Sequence, residues 1–121
     1  MKILVVDDSR VMRQIVVRTL RQAGYGHCDV VEATDGRDGV DKVQAEQPDL
    51  VLSDWNMPEM SGIDFLSTLR ASGDNRPFGF VTSEGSDPMR NTASQAGAAF
   101  LIAKPFSPDQ FRDVLEPVLG S

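Results

Sequence analysis

The chain has 121 residues, enough for one hydrophobic core and too few for two, so residues 1–121 read as one domain. It is 40% hydrophobic and 25% charged, an ordinary globular balance that excludes a disordered, fibrous or disulfide-stapled chain. Twelve basic residues against eighteen acidic ones give a formal net charge of −6, a poor match for nucleic acid or anionic membrane surfaces.

The single Cys28 has no internal partner and fits a reducing compartment as a small buried residue. The first apolar run, Ile3 to Val6, is too short for a signal peptide or a membrane span, and Asp7 and Asp8 follow at once. A soluble cytoplasmic protein is expected.

Lys2 to Val6, apolar and β-branched, predicts a buried strand that ends in Asp7-Asp8. Asp8 or Ser9 caps the next helix, whose apolar positions Val11, Met12, Ile15, Val16, Leu20 and Ala23 recur at helical spacing, and Gly24-Tyr25-Gly26 ends it. Asp29 to Ala33 is a second short strand, and a helix follows from Thr34-Asp35-Gly36 to about Ala45. Asp49 to Ser53 is a third strand, with Leu50, Val51 and Leu52 consecutive, and it delivers Asp54 into a loop broken by Pro58 and Gly62.

Ser61 caps a helix carrying Ile63, Phe65, Leu66 and Leu69, closed by Ser72-Gly73. Phe78 to Val81 is the fourth strand and runs into Thr82-Ser83-Glu84. Asp87-Pro88 opens a helix with Pro at its first position, where the missing N–H costs nothing, and Gly97 ends it. Ala99 to Ala103 is the fifth strand, ending at Lys104-Pro105. Ser107-Pro108-Asp109-Gln110 combines a cap, a first-turn Pro and a Gln three residues on, and the last helix runs to about Val118. Five strands alternating with five helices predict an α/β domain whose parallel sheet is covered on both faces.

In such sheets ligands bind beyond the carboxyl ends of the strands. Those ends carry Asp7, Asp8, Asp54, Thr82 and Lys104. Each alone has a bland reading as a cap, a turn former or solvated surface. Together they gather three carboxylates, a hydroxyl and an ammonium on one rim. Carboxylates about 4 Å apart repel by roughly 1 to 4 kcal/mol per pair, so such a cluster must take up a proton or a cation. An oxygen-only cluster suits Mg²⁺ better than zinc, and the lone His27 reads as surface. A carboxylate left over can attack a phosphoryl group, whose transfer needs charge neutralisation more than an acid or a base.

The motifs VVDDS at 5–9, SDWNMPEMSG at 53–62, VTSE at 81–84 and KPF at 104–106 resemble the receiver domains of two-component response regulators, in particular the single-domain chemotaxis type. The similarity spans essentially the whole chain. It implies a doubly wound (βα)5 fold with strand order 2-1-3-4-5, an order carried over from the family and not read from periodicity.

The resemblance implies that Asp54 accepts a phosphoryl group from a histidine kinase. Mg²⁺ would be held by Asp8 as the nearer acid of the pair, with Asp7, Asp54 and the backbone carbonyl of Asn56. Thr82 would move to contact the phosphoryl group, Lys104 would pair with it, and the Lys104-Pro105 bond would be cis. Asn56 and Glu84 would flank the path of the hydrolytic water, and the small Ser83 would keep the site open to donors. Trp55 reads equally as a half-buried prop for its loop.

Output would be read by a partner protein on the face of the fourth helix, fifth strand and fifth helix, with no direct nucleic-acid contact. Such a domain phosphorylates and dephosphorylates itself but is not a conventional turnover enzyme. One position departs from the family pattern. Leu101 stands where a Tyr or Phe is common, three residues before Lys104, and the neighbouring Phe100 falls on the other face of its strand. Either Leu101 repacks or Phe106 substitutes for the missing ring. A phosphatase with an aspartate nucleophile on its first strand is the runner-up, but its DxD motif is absent. An FMN-binding flavodoxin lacks its phosphate loop here.

Overall fold

The computed structural model describes residues 1–119. Its strands are β1 (Lys2–Val6), β2 (Asp29–Ala33), β3 (Leu50–Ser53), β4 (Phe78–Thr82) and β5 (Phe100–Ala103). Its helices are α1 (Arg10–Leu20), α2 (Gly36–Glu46), α3 (Gly62–Ala71), α4 (Asp87–Ala96) and α5 (Pro108–Leu119). The sheet has the order β2-β1-β3-β4-β5, parallel throughout, as the resemblance implied.

Alternation along the strands divides the core into two layers. Ile3, Val5, Leu50, Leu52, Val81 and Ile102 pack on Val16 and Leu20 of α1 and on Phe111 and Leu115 of α5. Leu4, Val6, Val51, Phe78, Phe80 and Leu101 pack on Val43 of α2, on Phe65, Leu66 and Leu69 of α3, and on Ala93 of α4. Phe65, Phe78 and Phe80 meet edge to face, with centroids 5.3 and 5.2 Å apart.

Most helix starts follow expectation, and α4 differs in being capped by Ser86, which puts Pro88 at its second position. Ser9, Asp35, Ser61 and Ser86 each accept a hydrogen bond from the amide three residues on. The capping box before α5 is reciprocal. The Gln110 amide donates to Ser107 Oγ at 3.3 Å, and the Ser107 amide donates to Gln110 Oε1 at 2.8 Å.

Boundaries differ from expectation in a few places. Beyond Leu20 the first helix widens into a π-type turn over Arg21–Tyr25, which closes where Gly24 adopts φ 102°. β3 begins at Leu50 because Asp49 clips sideways onto β1. Its amide donates to the Lys2 carbonyl at 2.8 Å, and its carboxylate accepts from the Lys2 amide at 2.8 Å. β5 likewise begins one residue later than expected, at Phe100.

Register determines where the chemistry falls. Val6 pairs with Ser53, so Asp7 and Asp54 leave the central strands side by side. Thr82 pairs with Ala103, so Lys104 emerges next to Thr82, its amide donating to the Thr82 carbonyl at 3.0 Å.

Candidate functional site: an acidic cluster at the carboxyl ends of the strands

Asp7, Asp8 and Asp54 each place a carboxylate oxygen within 4.8 Å of the others. Asp7 is buried, Asp54 half-buried and Asp8 exposed, so the cluster opens to water on one side. The backbone holds it from several directions. The Asp7 amide donates to the Ala33 carbonyl, and the Asp54 amide donates to the Val6 carbonyl, at 3.1 and 2.9 Å. The Asp7 carboxylate accepts from the Ser9 amide at 2.8 Å, and the Asp54 carboxylate from the Trp55 amide at 2.8 Å.

Crowding is visible in the protonation equilibria. Burial, augmented by the charges of Asp54 and Asp8, raises the Asp7 carboxyl to about 6 despite the Ser9 amide. Burial also raises Asp54 above the ordinary carboxylate range, and Asp8 adds to the rise. The Trp55 amide, the Lys104 ammonium and the Thr82 hydroxyl pull in the opposite direction. Asp7, Asp8 and Asp54 thus meet at one place, and Thr82 and Lys104 emerge side by side at the same end of the sheet.

The donor set fits a hard dication. It is oxygen-only, carries excess negative charge and is open to water, which suits Mg²⁺. His27 is exposed and lies just before β2, at the opposite end of the sheet. Asn56, Ser83 and Glu84 are exposed in the loops that border the cluster. The Glu84 amide reaches back to the Thr82 hydroxyl at 3.4 Å. Trp55 is half-buried with its ring centroid 4.8 Å from that of Phe80, so it does prop the loop. The Lys104-Pro105 peptide is cis.

Leu101 is buried at 8% exposure on the α4 side of the sheet, and Phe100 faces the other layer, as alternation predicted. Phe106 does not substitute for the missing aromatic. It packs on Phe111 with centroids 5.1 Å apart, in the layer opposite Leu101.

Several supporting residues went unread in the sequence. Ser53 Oγ donates to the Asp54 carbonyl at 2.8 Å. A Cβ at Gly62 would fall on that same carbonyl oxygen, while the Gly62 amide closes the loop on the Trp55 carbonyl at 2.8 Å. Gly62 had signalled only the end of a loop. Arg13, on the exposed-looking side of α1, had given no signal beyond its charge.

Residues 3–116 match the family described as the response regulator receiver domain. Chemotaxis protein CheY1 of Helicobacter pylori strain J99 is 44% identical over 126 residues, covering 100% of this chain and 98% of that protein. A chemotaxis protein CheY homolog of Campylobacter jejuni is 41% identical over 124 residues, covering 100% and 94%. Among solved structures, the chemotaxis response regulator CheY4 of Vibrio cholerae superposes with a TM-score of 0.83 at 37% identity, covering 98% of each chain. The chain belongs to the response regulator receiver domain family. Phosphoryl acceptance is the role that the family implies, and the acidic cluster fits it.

Proposed function

We propose that Asp54 is the phosphoryl acceptor of a Mg²⁺-dependent, CheY-like signalling switch. The observation that carries this reading is the paired register of β1 and β3, which sets Asp7 and Asp54 side by side within reach of Asp8. An Asp54 carboxylate oxygen attacks the phosphorus of a phosphohistidine on the donor kinase. The P–N bond breaks, a P–O bond forms, and the product is an acyl phosphate with the donor imidazole as leaving group.

Asp8, Asp7, Asp54 and the Asn56 carbonyl would hold Mg²⁺, which when bound neutralises charge on the transferring group. Partial desolvation of Asp54 strips water from its attacking oxygen. The Lys104 ammonium and the Thr82 hydroxyl, which already act on the Asp54 carboxylate, stabilise negative charge on the phosphoryl oxygens. Asn56 and Glu84 border the approach of the water that later hydrolyses the acyl phosphate, and Ser83 leaves that approach open. The modified group is the protein's own side chain, so the domain is a switch and not a conventional turnover enzyme.

Phosphorylation adds about −1.5 to −2 charge at Asp54 and draws Thr82 toward it. β4 leads from Thr82 directly into α4, so the surface of α4, β5 and α5 is the one that changes. Arg90 of α4 crosses it, donating to the Leu101 carbonyl at 2.9 Å and to the Gly85 carbonyl at 3.3 Å. Clefts of about 190 and 360 Å³ lie on either side of Arg90. A partner protein, as in chemotaxis signalling, reads this face in the cytoplasm. Among the described residues no helix is long and apolar enough to cross a membrane.

Incubation with Mg²⁺ and acetyl phosphate, followed by intact mass, tests the reading. One phosphoryl group should add to the wild type and none to Asp54→Asn. No gain in the wild type, or an equal gain in the variant, would overturn it.

A further inference from the structure

Arg13 reaches from the first turn of α1 to the top of the sheet. Its Nη1 donates to the Asp7 carbonyl at 2.7 Å, and its Nε to Glu32 Oε1 at 2.9 Å. The side chain is only 12% exposed, against 47% for Glu32. One guanidinium fork thus ties the first residue beyond β1 to Glu32, the next-to-last residue of β2. The Asp7 amide is already held by Ala33 and its carboxylate by Ser9. Arg13 takes the one remaining polar group of that residue, the carbonyl of the Asp7-Asp8 peptide. That peptide aims the exposed Asp8 carboxylate into the cluster.

We infer that Arg13 is a positioning residue for the dication site: by clamping the Asp7-Asp8 peptide it presents Asp8 to the metal. The inference rests on the reading of the cluster as a Mg²⁺ site. Arg13 touches no carboxylate of the cluster and acts through the backbone. Its charge is matched by Glu32, so its effect on the site is geometric more than electrostatic. The two possibilities have opposite signs. A bare cation beside a dication site weakens binding, and its removal tightens it. A clamp that aligns a ligand strengthens binding, and its removal loosens it. Partners that orient metal ligands are worth about 10- to 100-fold in affinity. A lysine can satisfy the Asp7 carbonyl or Glu32 but cannot fork to both.

The test uses the full chain and titrates MgCl₂ against the emission of Trp55, the single tryptophan, whose amide donates to the Asp54 carboxylate. Arg13→Met should raise the Mg²⁺ dissociation constant about tenfold, and Arg13→Lys by a smaller factor. At saturating Mg²⁺ both variants should regain the wild-type extent of phosphorylation by acetyl phosphate, because Asp54 is untouched. Arg13→Lys retains the charge and most of the packing, so it supplies the answer if the Met variant fails to fold. An unchanged constant in Arg13→Lys, or a tighter one in Arg13→Met, would overturn the positioning role while leaving the site intact. A wild type that does not bind Mg²⁺ would overturn the site reading and this inference with it.

Discussion

Asp7→Asn should make the metal-free protein more stable at neutral pH, although it removes a residue from the proposed site. The wild-type carboxyl is raised by burial, then by the charges of Asp54 and Asp8, from 3.8 to about 6. A carboxyl whose folded pKa lies above its unfolded value binds more protons when folded. Its contribution to stability is therefore complete below about pH 4 and is lost as pH rises through about 6. A shift of roughly two units corresponds to about 3 kcal/mol at most, and about 2 kcal/mol is a sober expectation for a cluster that shares its repulsion.

Asn keeps the side-chain oxygen that accepts from the Ser9 amide and removes the charge. In EDTA at pH 8, urea unfolding should show the variant more stable by about 2 kcal/mol, with Tm higher by roughly 8 °C. The gap should shrink toward zero near pH 4. Saturating Mg²⁺ should reverse the order, since binding to the native state stabilises only the protein that binds it well. A variant no more stable than wild type at pH 8, or a gap that persists unchanged at pH 4, would refute the reasoning.

Gly62→Ala places a methyl group on the Asp54 carbonyl oxygen and 2.9 Å from the Phe80 ring. The loop from 54 to 61 must shift, so chemical denaturation should report a loss of about 2 to 3 kcal/mol and phosphorylation by acetyl phosphate should slow at least tenfold. Ser107→Ala removes one half of a reciprocal capping box and should cost about 1 kcal/mol by the same denaturation assay. Arg90→Ala cuts an exposed contact to the Gly85 carbonyl and a half-buried one to the Leu101 carbonyl. Hydrogen exchange in the segment joining β4 to α4 should rise severalfold while global stability changes by less than about 1 kcal/mol. Unaltered exchange there would show that Arg90 does not hold the segment.

The chain's local signals carried the fold a long way, because each helix announces its own start and each strand its own end. Ser9, Asp35, Ser61 and the Ser107-Gln110 box act within three residues of themselves, and such signals need no knowledge of topology. Alternation placed Leu101 and Phe100 on opposite faces for the same reason. The rim residues were legible because a parallel sheet brings its carboxyl ends together whatever the order of its strands. What stayed hidden were contacts whose two ends lie far apart in the chain. Arg13 finds Glu32 only once β2 lies beside β1. Gly62 looked like a turn residue, and its need for a missing Cβ depends on how α3 returns onto Asp54. The π-type turn after Leu20 left no mark on the periodicity, since the helix widens only over its last five residues.

Leu101 narrows how a phosphate on Asp54 can be felt at the surface. A tyrosine at that position has a polar end, which a hydrogen bond can favour either inside or in water, so its ring can occupy two distinct states. A leucine has no such choice, and here it is buried against the core layer that contains Phe80 and Ala93. Its displacement would expose apolar area without gaining a partner. The connections that remain involve the backbone around Thr82 and Gly85. The Thr82 carbonyl holds the Lys104 amide, and the Glu84 amide reaches the Thr82 hydroxyl. Gly85 lies so close to Ala103 that a Cβ there would stand 2.5 Å from the Ala103 Cβ. On the proposed reading, an inward step of Thr82 would be communicated to β5 and to the start of α4 through these contacts, with the Arg90 side chain bridging the two. On the same reading, the partner face would be reshaped by movement of α4 relative to β5 rather than by the swing of a single ring.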